Sequence, residues 1–293
     1  MAIELAQANG ITIAYESCGE PDAPPILLVA GLGRQLIGWN DDFVAELAAR
    51  GHRVVRFDNR DAGESTHFHG ESSAPYTLSD MAADGVAVLD ALAIPSAHLV
   101  GISMGGMIAQ TIAVEHPDRA RSLTSMMSTT GEPGVADPTP EAAAVLVQSP
   151  PESREEAVER AVANASVLGS PGFEQDVDWI RDHAGRAYDR SFDPAGVGRQ
   201  LAAIYAAGDR TDTLRELRLP TLVIHGDDDP LIGVGGGRAT AAAIEGAELV
   251  TIPGLGHDLP RGVWPRVLDG IAALVERAER ERVAAHAGSG GAR

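Results

Sequence analysis

Gly101-Ile102-Ser103-Met104-Gly105-Gly106 joins a strand-like run to a helix-like run through a serine, and its reading decides the fold. Upstream, Ala97-His98-Leu99-Val100 has the character of a short buried strand. Downstream, Met104 to Glu115 carries apolar residues at helical spacing and stops before Pro117. A serine at so tight a strand-to-helix turn takes a strained backbone conformation, and neighbouring segments pass so close that only small residues fit two positions to either side. Gly101 and Gly105 occupy those positions. Such a nucleophile elbow lifts the hydroxyl clear of the sheet and directs the unpaired N–H groups and positive end of the new helix at any oxyanion formed there. G-x-S-x-G also arises by chance in a chain with 33 glycines, so its weight comes from the strand before it and the helix after it.

Strand and helix patterns alternate on both sides of this turn. Ile3 to Gln7 and Ile11 to Glu16 read as strands joined by the hairpin signal Asn9-Gly10. The continuous apolar run Ile26-Leu27-Leu28-Val29, typical of a strand buried on both faces, ends in Ala30-Gly31-Leu32-Gly33. A helix from about Trp39 to Arg50, a strand Val54 to Phe57 and a turn-rich segment 58–65 follow. Thr77-Leu78-Ser79-Asp80 has capping-box spacing and opens a helix to about Ala93; Ser122 to Met127 is a further strand. Thr221 to His225 and Glu248 to Ile252 are strands around a helix from Ala239 to Ile244, and a last helix spans about Trp264 to Arg280. The fold class expected is α/β: an eight-stranded, mostly parallel, doubly wound sheet that begins with an antiparallel hairpin. Residues 131–215 break the alternation with Pro-rich turns and Ala/Glu-rich helical stretches. They are expected to form a helical cap inserted between strands 6 and 7, leaving 1–130 and 216–283 as the core and 284–293 as a disordered tail.

Composition narrows the function classes. The chain has 293 residues, of which 44% are hydrophobic, enough for a sizeable core. A net charge of −19 argues against nucleic acid or an anionic membrane surface as partner. The single cysteine, Cys18, rules out an internal disulfide framework, no apolar run approaches the ~18 residues of a membrane span, and no signal peptide is visible; a cytoplasmic protein is expected. Oligomeric state is not legible.

A serine hydroxyl needs a base to take its proton and an acid to orient that base. Both are found downstream, after later strands, in the order Ser, acid, His: Asp227-Asp228-Asp229 beyond the strand ending at His225, and His257 in Gly254-Leu255-Gly256-His257. Of the other histidines, His98 lies within a strand and His225 closes one. His67-Phe68-His69 has the spacing of some metal sites, but no further ligand run follows, so it reads as a solvated loop and no metal is expected. The aspartate run fails as a calcium loop because Leu231 stands at a ligand position. Two backbone N–H groups for an oxyanion come from Met104, after the serine, and from Leu32, after the third strand. Gly31-Leu32-Gly33 lacks the third glycine of a dinucleotide fingerprint, since position 36 is Leu, so no cofactor is expected.

The chain resembles the α/β-hydrolase superfamily, and within it the actinobacterial serine esterases that include the anthracycline methylesterases. The residues that carry the likeness are Leu27 to Gly33, Phe57-Asp58-Asn59-Arg60-Asp61-Ala62-Gly63-Glu64-Ser65, Val100 to Met107, Ile224-His225-Gly226-Asp227-Asp228-Asp229-Pro230 and Pro253 to His257. In such enzymes the acid lies three residues beyond the Gly that ends the strand, which implies Asp229. Ala30 departs from the pattern, since many relatives carry His there. The resemblance implies an α/β-hydrolase fold and a cofactor-independent carboxylic ester hydrolase of the serine carboxylesterase type with a Ser103–His257–Asp229 triad, acting on a small-molecule ester. A lactonase, C–C hydrolase or perhydrolase would use the same triad, and a ligand-binding protein that has lost catalysis is the rival from another class. Haloalkane dehalogenases and epoxide hydrolases have an Asp nucleophile where this chain has Ser103. Candidate substrate contacts are Gly31, Gly33, Met107 and Met126 from the core and Trp179, Tyr188, Phe192 and Tyr205 from the cap.

Overall fold

The computed structural model describes residues 2–70 and 76–289. Its eight strands are β1 (Glu4–Ala8), β2 (Ile11–Cys18), β3 (Pro25–Val29), β4 (Arg53–Phe57), β5 (Ala97–Ile102), β6 (Ala120–Met126), β7 (Thr221–Gly226) and β8 (Glu248–Ile252). They form one sheet in the spatial order β1-β2-β4-β3-β5-β6-β7-β8. The hairpin β1–β2 and its junction with β4 are antiparallel, and every later pairing is parallel, as expected from the strand–helix alternation.

The helices are α1 (Asp41–Ala49), α2 (Leu78–Ala91), α3 (Met104–Glu115), α4 (Pro140–Leu146), α5 (Arg154–Leu168), α6 (Val177–Arg190), α7 (Pro194–Ala207), α8 (Thr211–Arg215), α9 (Gly235–Ala243) and α10 (Trp264–Ser289). Side chains alternate across β3, so Leu27 and Val29 pack with Met81 and Leu89 of α2 and Ile108 and Ile112 of α3. Ile26 and Leu28 face the other way, onto Phe43 of α1 and Leu268 and Ile271 of α10. Both faces are thus covered, which is why β3 and β7 are buried throughout and why β3 reads as an unbroken apolar run. The capping box forms as its spacing predicts: Thr77 Oγ1 accepts from Asp80 N, and Asp80 Oδ2 accepts from Thr77 N.

Several boundaries differ from the sequence reading. Trp39 is not in α1; it closes a short 3-10 turn at Leu36–Gly38, and Asn40 caps α1 by accepting from Asp42 N at 2.9 Å. The last helix does not end near Arg280, because α10 runs on to Ser289; residues 290–293 of the expected tail lie outside the described residues. Helices α4 to α8 fall between β6 and β7. Among them α5 buries no residue, as suits a layer lying outside the core.

Candidate active site

The loops that follow β3, β5, β7 and β8 meet at one edge of the sheet, and each brings one expected residue. Ser103 sits between β5 and α3 with φ 58° and ψ −125°, a left-handed conformation that costs a non-glycine residue about 1–3 kcal/mol. Close packing enforces it. A Cβ on Gly101 would lie 2.1 Å from the carbonyl oxygen of Gly105, and one on Gly105 would lie 2.1 Å from that of Val29. The turn is pinned from below, since Ser103 N donates to the Met126 carbonyl at 2.9 Å and Ser128 Oγ donates to the Ser103 carbonyl at 2.9 Å.

His257 Nε2 lies 3.0 Å from Ser103 Oγ, and its Nδ1 lies 2.7 Å from Asp229 Oδ2. A carboxylate only accepts, so Nδ1 carries the proton and Nε2 is left as the acceptor facing the serine hydroxyl. Asp229 is buried and its other oxygen accepts from Leu231 N and Ile232 N, both at 2.9 Å. Asp227 and Asp228 are exposed, and Asp228 Oδ2 instead accepts from Gly254 N at 2.8 Å, which shapes the loop that carries His257.

Met104 is the first residue of α3, where an N–H has no partner within the helix. Gly31 packs against the serine: a Cβ there would lie 3.3 Å from Ser103 Cβ and 3.8 Å from its Oγ. This sets the Leu32 loop beside the hydroxyl. The loop is fixed at Ala30, whose carbonyl accepts from Asn59 Nδ2 at 3.0 Å, and at Gly33, whose N–H donates to Gln200 Oε1 at 2.8 Å. Gly33 is therefore engaged by α7 and its Val197.

The remaining candidates separate. Met126 is fully enclosed in the core, so its side chain offers a ligand no surface; its contribution is the carbonyl under Ser103. Met107 packs in the core cluster that Leu32 borders. Tyr205 is 74% exposed and points to solvent, because its stretch of α7 lies on the outer side of the insertion. Trp179 and Tyr188 are half-buried and stack on His183 and Phe192 at centroid separations of 4.8 and 4.6 Å. His98 is buried within its strand, and burial pulls its pKa down to about 4. His225 is buried at the end of β7, where its Nε2 donates to the Ile232 carbonyl at 2.7 Å and lies 3.6 Å from Asp229 Oδ2.

Residues that the sequence did not flag also shape the site. His257 N donates to the Leu168 carbonyl at 2.7 Å, and Gly172 N donates to the Gly254 carbonyl at 2.9 Å. Ser170 Oγ accepts from Gly256 N at 2.9 Å and donates to Asp258, whose pKa is raised by burial. The end of α5 thus clamps the histidine loop. Its only sequence signal, Gly169-Ser170-Pro171-Gly172, marks a turn and does not say what the turn touches.

The alpha/beta hydrolase fold family matches residues 24–260, which takes in all of these loops. The chain belongs to that family. It is similar to rhodomycin D methylesterase DauP of Streptomyces sp. strain C5, at 32% identity over 93% of this chain and 98% of that protein, and to DnrP of Streptomyces peucetius, at the same identity and shares. Among solved structures it is similar to the enol-lactonase from Burkholderia xenovorans LB400, with a TM-score of 0.72 at 26% identity, covering 93% of this chain and all of that one. No helix among the described residues is long and apolar enough to cross a membrane.

Proposed function

We propose that the protein is a serine carboxylic ester hydrolase. Ser103 Oγ attacks the ester carbonyl as His257 Nε2 takes its proton, and Asp229 holds the imidazole in its tautomer and stabilises the imidazolium. Leu32 and Met104 N–H groups bind the oxyanion. The imidazolium protonates the leaving alkoxide, and water repeats the cycle on the acyl-enzyme. The observation that carries this reading is the unbroken relay from Asp229 through His257 to Ser103, at 2.7 and 3.0 Å, on a serine held at φ 58°.

The names of the rhodomycin D methylesterase relatives support a methyl ester as the substrate class. The enol-lactonase likeness supports a second reading, opening of a cyclic enol ester by the same relay, which differs only in keeping the leaving oxygen attached to the acyl group. Helices α4 to α8 act in this proposal as a cap, with Trp179 and Tyr188 as walls for the ester. A cytoplasmic setting fits the single cysteine and a charge of −19. A fluorophosphonate should label wild type at Ser103 alone, and Ser103→Ala should lose on the order of 10⁶ in kcat, as in other triad knockouts. Label on another residue, or an active alanine variant, rejects the relay.

A further inference from the structure

The pair His67-Phe68-His69 lacks a third ligand in the sequence around it, but the fold supplies one. Asp193, which caps α7, places its Oδ2 at 2.9 Å from His67 Nδ1 and 3.7 Å from His69 Nδ1, and the three atoms all lie within 4.8 Å of one another. A tetrahedral ion at zinc–ligand distances separates its ligands by about 3.3 Å, which falls between the two histidine–carboxylate distances.

The hydrogen bonding of His67 points to a cation there. Its Nε2 faces the Gly63 carbonyl at 3.0 Å, with Ser191 Oγ at 3.3 Å. A carbonyl only accepts, so Nε2 carries the proton, and in the neutral ring Nδ1 turns a bare lone pair toward a carboxylate oxygen. Something positive belongs between them. A proton on His67 would serve one ring, yet the His69 ring stacks on it at 5.5 Å and 7° and brings a second Nδ1 to the same oxygen. Asp193 Oδ2 also accepts from Arg199 Nη2 at 2.9 Å, and Arg199 in turn holds Asp61, so two carboxylates face one guanidinium and one negative charge remains for a cation. His67 is largely enclosed, whereas the His69 side chain is 76% exposed and free to turn toward an ion.

We propose that His67 Nδ1, His69 Nδ1 and Asp193 Oδ2 form a binding site for a divalent transition metal ion of the zinc class. Two imidazoles and a carboxylate suit zinc, cobalt or nickel, with water completing the shell. The ion ties the loop after β4 to the start of α7, two turns from the Gln200 that holds Gly33. Its role is to seat the inserted helices, and it takes no part in the ester chemistry.

The full chain, stripped with a chelator, is titrated with zinc by calorimetry and with cobalt by its visible absorption, alongside His69→Ala and His67→Gln. Wild type should take up one zinc and raise its Tm. Each substitution removes a ligand and should weaken binding by at least the ~10–100-fold that outer-shell partners are worth. Because the His69 side chain is exposed, His69→Ala keeps its fold and decides the matter even if His67→Gln does not. No zinc uptake by wild type overturns the site. So does uptake that survives either substitution.

Discussion

Ten of the twelve residues of α3 are buried, whereas the fifteen of α5 bury none. The first helix is held to the sheet by apolar packing and by backbones in contact. Of the inserted helices, α6 and α7 are tied to the core loops by polar bolts. Arg199 of α7 donates to both oxygens of Asp61 at 2.8 and 2.7 Å; Arg190 of α6 reaches Asp58 at 2.9 Å; Gln200 Nε2 donates to the Arg60 carbonyl at 2.7 Å. Gln35 Nε2 closes the set on the carbonyls of Ala187 and Ser191 at 2.8 and 3.1 Å. Apolar packing degrades by degrees, since a lost methylene costs in proportion to the cavity it leaves. A buried ion pair fails at once, since removing one partner strands the other charge. The two regions should therefore break differently.

After loss of Ser103 itself, the largest expected effect is at the acid that follows β7. Asp229→Asn should lower kcat by about 10⁴, the loss that the equivalent tautomer-flipping change causes in a serine protease. Asp228→Asn retains an acceptor for Gly254 N and should stay within about tenfold of wild type. Steady-state kinetics on one ester decide between them, and a crippled Asp228→Asn beside an active Asp229→Asn would reassign the relay.

Arg199→Met tests the bolts. It leaves Asp61 buried beside Tyr76, whose phenol donates to it at 2.6 Å, and should cost about 3–5 kcal/mol in urea unfolding. The apolar control Ile108→Ala, in α3, should cost about 2–5 kcal/mol. The signature of the comparison is where the loss appears: Arg199→Met should release α6 and α7 to early proteolysis, while Ile108→Ala should lower the whole transition. Identical protease patterns would erase the distinction.

Tyr188→Ala probes the inserted helices as a wall. It should shift the ratio of kcat/KM for a small acetate ester against a bulky ester about tenfold, or ~1.4 kcal/mol, with little change in Tm. A lower Tm with an unchanged ratio would make Tyr188 a packing partner of Phe192 and nothing more.

The smallest effect is a shared one. Burial holds the pKa of His98 in the core near 4 and that of His183 in α6 near 3, against 6.5 in an exposed chain. The unfolded chain therefore binds more protons than the folded one below pH 6.5, so stability is present above that pH and is lost as pH falls. Going from pH 7 to 6 should cost on the order of 0.5–1 kcal/mol per histidine. His183→Leu should flatten this slope in calorimetry; an unchanged slope would mean that His183 binds as many protons in the folded chain as in the unfolded one.

The spatial order of the strands is not legible in the sequence, whereas the strand and helix alternation, the opening hairpin, the elbow and the four loops that meet at Ser103 are. These features are local: strand and helix periodicities, a capping box at Thr77, and glycines at 101 and 105 whose absent Cβ atoms leave room for the carbonyls of Gly105 and Val29. Which aspartate faces His257 was not written in Asp227-Asp228-Asp229 alone, because three identical side chains differ only in burial, and burial is set by the loop that packs on them. The resemblance to esterases implies Asp229; in the fold Asp229 is buried and the other two are exposed. The clamp of Leu168 and Ser170 on the His257 loop, and the meeting of His67 with Asp193, were decided by tertiary structure alone. Each joins groups some 90 to 130 residues apart through single polar contacts, which leave no periodicity in the chain to read.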